Sequence, residues 1–153
     1  MSGDRVTGDG ASGDRMDRSA RGAGHEAARL VEEYLIRCEA RDLAAASRLL
    51  APDPLIVFPG GVHYRTLAEM VADAATRYRT VRKRRRPPVL ARCDDGATVV
   101  LSHGTLEGEG LDGAPFAGIR YLDVFIVRDG QICEQHVFND LAEAGVVARG
   151  RHR

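Results

Sequence analysis

The run from Phe116 to Asp140 constrains this chain more than any other stretch. It reads as two β-rich segments joined by Asp129-Gly130. Asp-Gly between such segments favours a two-residue type I′ turn, which needs positive φ at both central positions. A two-residue loop sets Arg128 opposite Gln131, Val127 opposite Ile132, Phe125 opposite Glu134, Asp123 opposite His136 and Tyr121 opposite Phe138. Directly opposed residues share a face, with Cβ atoms about 4.5–5.5 Å apart. The ladder thus predicts one mostly apolar face carrying Tyr121, Asp123, Phe125, Val127, Ile132, Glu134, His136 and Phe138. A bulge would move the second strand's side chains to the opposite face.

On that register Asp123 and His136 are candidate catalytic residues. The carboxylate would orient the imidazole and raise its basicity, His136 would move the proton, and Tyr121 would polarise a substrate oxygen. The plainer reading is a satisfied buried pair that only holds the sheet together. If Asp112-Gly113 also makes a two-residue turn, Ser102 faces Asp123 and His103 points outward. A metal site of His103, His136 and Asp123 would require another register, and no metal-ligand spacing is present. Phe58, Phe125 and Phe138 are candidate pocket aromatics. Tyr34 and Tyr78, on apolar helical stripes, are candidates for pocket hydroxyls, against ordinary core packing. His63 follows the Gly-rich break Pro59-Gly60-Gly61 and is a candidate for the pocket rim.

The rest of the chain supplies helices first and strands later. Met1 to about Gly24 has almost no large apolar residues and reads as a disordered tail. From His25 to about Arg41, Ala27, Leu30, Val31, Tyr34, Leu35 and Cys38 form one helical stripe. Asp42 is placed to cap a short helix from Leu43 to Leu50, ended by Pro52 and Pro54. Leu55–Phe58 reads as a strand. Thr66-Leu67-Ala68-Glu69 fits a capping box, opening a helix whose stripe runs through Met70, Val71 and Ala74 to Tyr78. The basic run Arg79, Arg82, Lys83, Arg84, Arg85, Arg86 then reads as the solvated end of that helix. Val89–Ala91 and Thr98 to about Glu107 are strands, and Leu141–Ala144 fits one helical turn. The domain is expected over 25–144, with a short basic end at 145–153. This order indicates an α+β domain with helices packed on one face of a mostly antiparallel sheet.

Composition narrows the class. A chain of 153 residues, 44% hydrophobic and 29% charged, is one domain with a real core. The formal net charge is zero, which gives no global pull toward a polyanion, so nucleic-acid binding is not expected despite the basic run. No apolar run approaches a membrane span, and no segment has signal-peptide character, so a cytoplasmic location is the default. The three cysteines, Cys38, Cys93 and Cys133, are odd in number and widely spaced, and suggest neither disulfides nor a zinc site. No phosphate loop or dinucleotide fingerprint occurs, so no cofactor is implied.

The segment Asp123-Val-Phe-Ile-Val-Arg-Asp-Gly-Gln-Ile132, the closing Phe138-Asn139-Asp140, and Phe58-Pro-Gly-Gly61 ahead of a helix near Thr66 resemble the nuclear transport factor 2-like (NTF2-like) superfamily, in its SnoaL-like branch. The resemblance covers about Glu26 to Glu143. It implies a cone-shaped fold whose curved sheet wraps around helices and leaves a pocket at the wide end, and commonly a homodimer through the outer sheet. Its members include polyketide cyclases, isomerases, dehydratases, epoxide hydrolases and binding-only proteins. The cyclases' acid/base His and Asp positions fall on Leu106 and Val137, and the epoxide hydrolase positions near Gly104, Leu106 and Val137, so neither set is kept. The expected function is cofactor-independent acid/base chemistry on a hydrophobic small molecule: cyclisation, isomerisation or dehydration. The alternative is a non-catalytic ligand-binding or dimerisation domain of the same fold.

Overall fold

The structure is a computed structural model and describes residues 10–148. Its elements are α1 (Gly10–Glu39), α2 (Leu43–Ser47), β1 (Leu50–Phe58), β2 (Val62–Tyr64), α3 (Leu67–Ala74), β3 (Tyr78–Arg85), β4 (Val89–Arg92), β5 (Thr98–Gly110), β6 (Pro115–Arg128) and β7 (Gln131–Asn139). The strands form one curved, open mixed sheet in the order β2-β1-β7-β6-β5-β3, with β4 also paired to β5. Among the described residues only β1 and β7 run parallel. The helices pack on the concave face, as expected for this α+β fold.

The core follows from the helical stripe. Ala27, Val31, Tyr34 and Leu35 of α1 bury against Ile56, Val100, Phe125, Val127 and Ile132 of the sheet. Burying an aliphatic or aromatic side chain contributes about 1.5–3 kcal/mol, so this contact dominates the association of helix and sheet. The Tyr34 and Phe125 rings meet edge-on at 5.9 Å. A smaller cluster of Leu106, Ile119, Tyr121 and Leu141 lies at the other end of the sheet, covered by Tyr78, Phe116 and Val146. The caps hold as expected: Ala45 N–H donates to Asp42 Oδ1 at 3.2 Å, and Glu69 N–H donates to Thr66 Oγ1 at 3.2 Å.

Several expectations are corrected. Residues 10–24, read as tail, belong to α1, while 1–9 lie outside the described residues. Of the expected basic end, 149–153 also lie outside them. Pro52 and Pro54 sit inside β1 rather than ending a helix at Leu50. Lacking N–H groups, they cannot complete a ladder, and the pairing with β7 is irregular between Leu50 and Leu55.

The largest correction is β3. The α3 helix stops at Ala74, and the basic run forms a strand against β5. Pairing with that edge satisfies backbone groups that a frayed helix end would leave to water. It also sets Arg79 against Glu109 at 2.7 Å and Arg84 against Glu107 at 2.5 Å. Tyr78 therefore starts a strand instead of continuing a helical stripe.

Close approach of β3 to β5 depends on glycine. A Cβ on Gly104, where φ is 153°, would stand 2.0 Å from the Arg84 carbonyl oxygen. Gly104→Ala should therefore push β3 off its neighbour and cost about 1–3 kcal/mol in urea unfolding. A wild-type midpoint in that variant would show that the edge has room to spare.

Candidate functional site

The site begins with the alternation of β3. Val81, Lys83 and Arg85 turn toward the interior, while Arg82 and Arg84 face solvent. Tyr121, Asp123 and Phe125 are buried on the inner face of β6, and Ser102 of β5 is the register partner of Asp123. Lys83 Nζ is ion-paired with Asp123 Oδ2, and it also stands 4.8 Å from the centre of the Tyr121 ring. Tyr121 Oη and Ser102 Oγ share a hydrogen bond of 3.1 Å. Tyr34 Oη donates to Gln135 Oε1 at 2.8 Å. These groups form a connected polar patch inside an otherwise apolar concavity.

Asp123 is the unusual member. Its side chain has 0% exposure, and its Oδ1 has no hydrogen-bond partner among the described residues. Burial pushes its carboxyl above the usual carboxylate range, while Lys83 and Gln135 favour the charged form without cancelling that push. Burial also raises the Tyr121 hydroxyl, against the Ser102 bond that lowers it, and raises Tyr34 strongly. Burial pushes the Cys38 thiol up to about 11, so it is not an activated nucleophile.

The predicted dyad does not form. The Asp129-Gly130 turn is present, with φ of 48° and 71°, and Arg128 faces Gln131. The ladder then shifts between Ile126 and Val127, because Val127 pairs Ile132 while Ile126 pairs Glu134. Cys133 is the extra residue of a β-bulge. Beyond it Asp123 faces Val137, and His136 faces Val124 on the outer surface. His136 Nε2 lies 2.9 Å from Glu134 Oε2, away from Asp123. Phe138 goes outward with it, 56% exposed and opposite Leu122, and is not a pocket residue. Gln135 and Val137 take the inner positions.

The other candidates scatter. Tyr34 and Phe125 are buried beside the polar patch. Phe58 packs edge-on to Tyr64 at 5.1 Å, Tyr78 covers the smaller cluster, and His63 is exposed on β2. The expectation that Ser102 faces Asp123 holds, although the loop differs. The Gly110 N–H reaches the Ala114 carbonyl at 2.9 Å, closing a longer loop, and a bulge between Leu106 and Gly108 restores the register.

A cavity of about 420 Å³ opens between α1 and the β3–β5 edge. Its walls are largely apolar, with Val31, Leu35, Val100 and Pro88, and its floor reaches Ser102. Arg29, Glu32, Arg85 and Arg86 stand around it. Neither the expected catalytic residues nor the expected pocket aromatics line it; Tyr121 is reached through Ser102. Sequence reading missed Lys83, Gln135 and Arg85 as interior groups. The one signal for Lys83 was the alternation around Val81, hidden by the surrounding arginines. Among the described residues no group of three or more His, Cys, Asp or Glu gathers to hold a metal ion, and no helix is long and apolar enough to cross a membrane.

A helix-filled, strongly curved α+β sheet with a polar patch in its concavity defines an NTF2-like domain. The family described as "SnoaL-like domain" matches residues 31–135, and the chain belongs to it. Solved structures agree on the fold. TerC, co-crystallized with polyporic acid, has 19% identity and a TM-score of 0.64 over 80% of this chain and 97% of its own. ActVI-ORFA from Streptomyces coelicolor has 21% identity and a TM-score of 0.59 over 78% and 98%. An NTF2-like protein of unknown function from Burkholderia pseudomallei has 19% identity and a TM-score of 0.62 over 81% and 98%. No curated protein matches the sequence.

The ion pair predicts a pH-dependent defect. In Lys83→Met the carboxylate keeps its burial and loses its cation, which should cost about 3–5 kcal/mol near neutral pH. A carboxyl with a raised folded pKa is most favourable to the fold when protonated, below its unfolded value, and that benefit is lost as pH rises through the folded value. The deficit of Lys83→Met should therefore shrink as pH falls from 7.5 toward 4.5, read as urea midpoints against wild type. A deficit that is constant or grows on acidification would contradict a charged, buried Asp123.

Proposed function

We propose that the chain is a cofactor-independent enzyme acting on a largely apolar small molecule by acid/base chemistry of the cyclase, isomerase or dehydratase kind. The observation that carries this reading is Asp123, a wholly buried carboxyl with one unpartnered oxygen, one cross-strand pair from the Ser102 floor of a cavity. Opposed residues have Cβ atoms about 5 Å apart, so a ligand resting on Ser102 lies close to Asp123. The Ser102–Tyr121 hydroxyl pair donates to a carbonyl oxygen and stabilises the developing enolate. Asp123 takes the proton from the adjacent carbon, its basicity raised by burial. Lys83 keeps the carboxylate available and offsets the charge around Tyr121.

The second reading is a binding domain without turnover. It is favoured by the complete burial of Asp123 and by its pairing with Lys83, which leave it behind the cavity wall rather than on it. We also propose that a second copy covers the outer sheet face, where Leu122 and Phe138 stand exposed beside His103 and His136.

Deuterium exchange separates the two main readings. The wild-type protein should accelerate solvent exchange at the α-carbon of a fused-ring ketone such as 2-tetralone, followed by NMR. Asp123→Asn should lower the protein-dependent rate by about 10²–10⁴, while His136→Ala leaves it unchanged. Equal rates in wild type and Asp123→Asn would remove Asp123 as the base. Saturable binding with no exchange would favour the binding domain.

A further inference from the structure

The mouth of the cavity divides its charges unevenly. His25, Ala28, Arg29 and Glu32 line it from one stripe of α1, and Arg85 and Arg86 line it from the end of β3 and just beyond. Arg85 is committed. Its Nε donates to Glu32 Oε1 at 3.0 Å and its Nη1 to Glu39 Oε1 at 2.6 Å. Burial works against its charge, but Glu39 and Glu32 outweigh burial and hold its pKa above the usual value. Arg29 and Arg86 are exposed and have no ion-pair partner among the described residues. The backbone N–H of Arg86 is fixed on the His103 carbonyl at 2.9 Å, which anchors that residue at the mouth. Glu32 is the single carboxylate of the lining, and Arg85 already holds it.

The interior has the opposite character. Val31, Leu35, Val100 and Pro88 give flat apolar walls, and Ser102 is the hydroxyl at the floor. A volume of about 420 Å³ accommodates a fused-ring molecule. Guanidinium groups bind carboxylates and phenolates through charge-assisted, often paired hydrogen bonds.

We propose that the ligand of this cavity is an amphipathic organic acid: an apolar ring body inside, an oxygen on Ser102, and a carboxylate or phenolate held at the mouth by Arg29 and Arg86. This rests on the cavity being the substrate site of the acid/base reading and names the class of molecule it takes. A neutral ligand of the same shape would leave two unpaired cations at the entrance and gain nothing from them. The acidic group also fixes orientation, because only one end of the molecule then faces Ser102.

The test is fluorescence titration of the protein with 6-hydroxy-2-naphthoic acid, whose hydroxyl and carboxylate stand at opposite ends of the ring body, and with its methyl ester. The acid should bind at least about tenfold more tightly, the scale of one hydrogen bond to a charged group. The double variant Arg29→Gln with Arg86→Gln should lose that preference while keeping the ester's affinity. Both arginines are exposed, so the variant should keep the wild-type urea midpoint. Glu32→Gln supplies a second readout of opposite sign: it removes the lining carboxylate and should widen the preference for the acid. Equal affinities for acid and ester in wild type, a preference that survives in the double variant, or binding of neither probe would each overturn the proposal. Exchange that depends on Asp123 but comes with no preference for the acid sinks this inference alone. A preference for the acid without exchange supports it and sinks only the catalytic reading.

Discussion

A carboxyl group with no exposed surface is tolerable in an apolar concavity only if something meets its charge. Here Lys83 does so, from a strand whose other long side chains are arginines. The pair is not a simple gain. Desolvating both groups costs several kcal/mol, and a well-packed apolar pair would often be at least as stable. Asp123 Oδ1 makes no hydrogen bond of normal geometry among the described residues, although the Gln135 side chain favours the carboxyl's charge. The features around it follow from this choice. Tyr121 lies under the ammonium, Ser102 shares a hydrogen bond with the tyrosine hydroxyl, and the polar Gln135 is buried on the facing strand.

The hairpin shows how much of this was legible in the residues. Turn chemistry is local, so Asp129-Gly130 revealed the turn and its first pairs. A bulge at an ordinary residue such as Cys133 has no comparable signature. β6 gave no help in choosing a face, because Val124, Phe125, Ile126 and Val127 are all apolar. The alternation of Glu134, His136 and Phe138 against Gln135 and Val137 admitted both outcomes, and the fold buries the second set. At the other hairpin a longer loop and a bulge offset one another, so Ser102 met Asp123 as counted. The class of fold was therefore readable from element order and turns, while the site depended on two single-residue shifts.

The basic run was misread for a related reason. Six cations close together resemble a helix end in water, and helical capping upstream reinforced that reading. What decides the conformation is non-local. Glycines at Gly104 and Gly108 let another backbone come near, and Glu107 and Glu109 supply partners on the far strand. Once the run is a strand, period-two alternation separates its charges. The outward pairs Arg79–Glu109 and Arg84–Glu107 are solvent-exposed and contribute about 0.2–1 kcal/mol each. Lys83 and Arg85 turn inward, one to the polar patch and one to the helix.

The position of the cavity follows from where that strand fails. Around Tyr34 and Phe125 the space between helix and sheet is filled. Further along the edge, β3 pairs β5 as far as Gly104, and β4 resumes only at Leu101. The interruption is Arg86-Pro87-Pro88, where two prolines have no N–H to offer. Ser102 lies in that gap, so the ladder opens at the residue that forms the cavity floor. Arg85, just before the break, is tied to Glu32 and Glu39 and holds α1 over the opening without closing it. One sequence feature, a proline pair after an alternating basic strand, thus creates the hollow, leaves Arg86 at its entrance and brings the hydrogen-bonded hydroxyl pair to its floor.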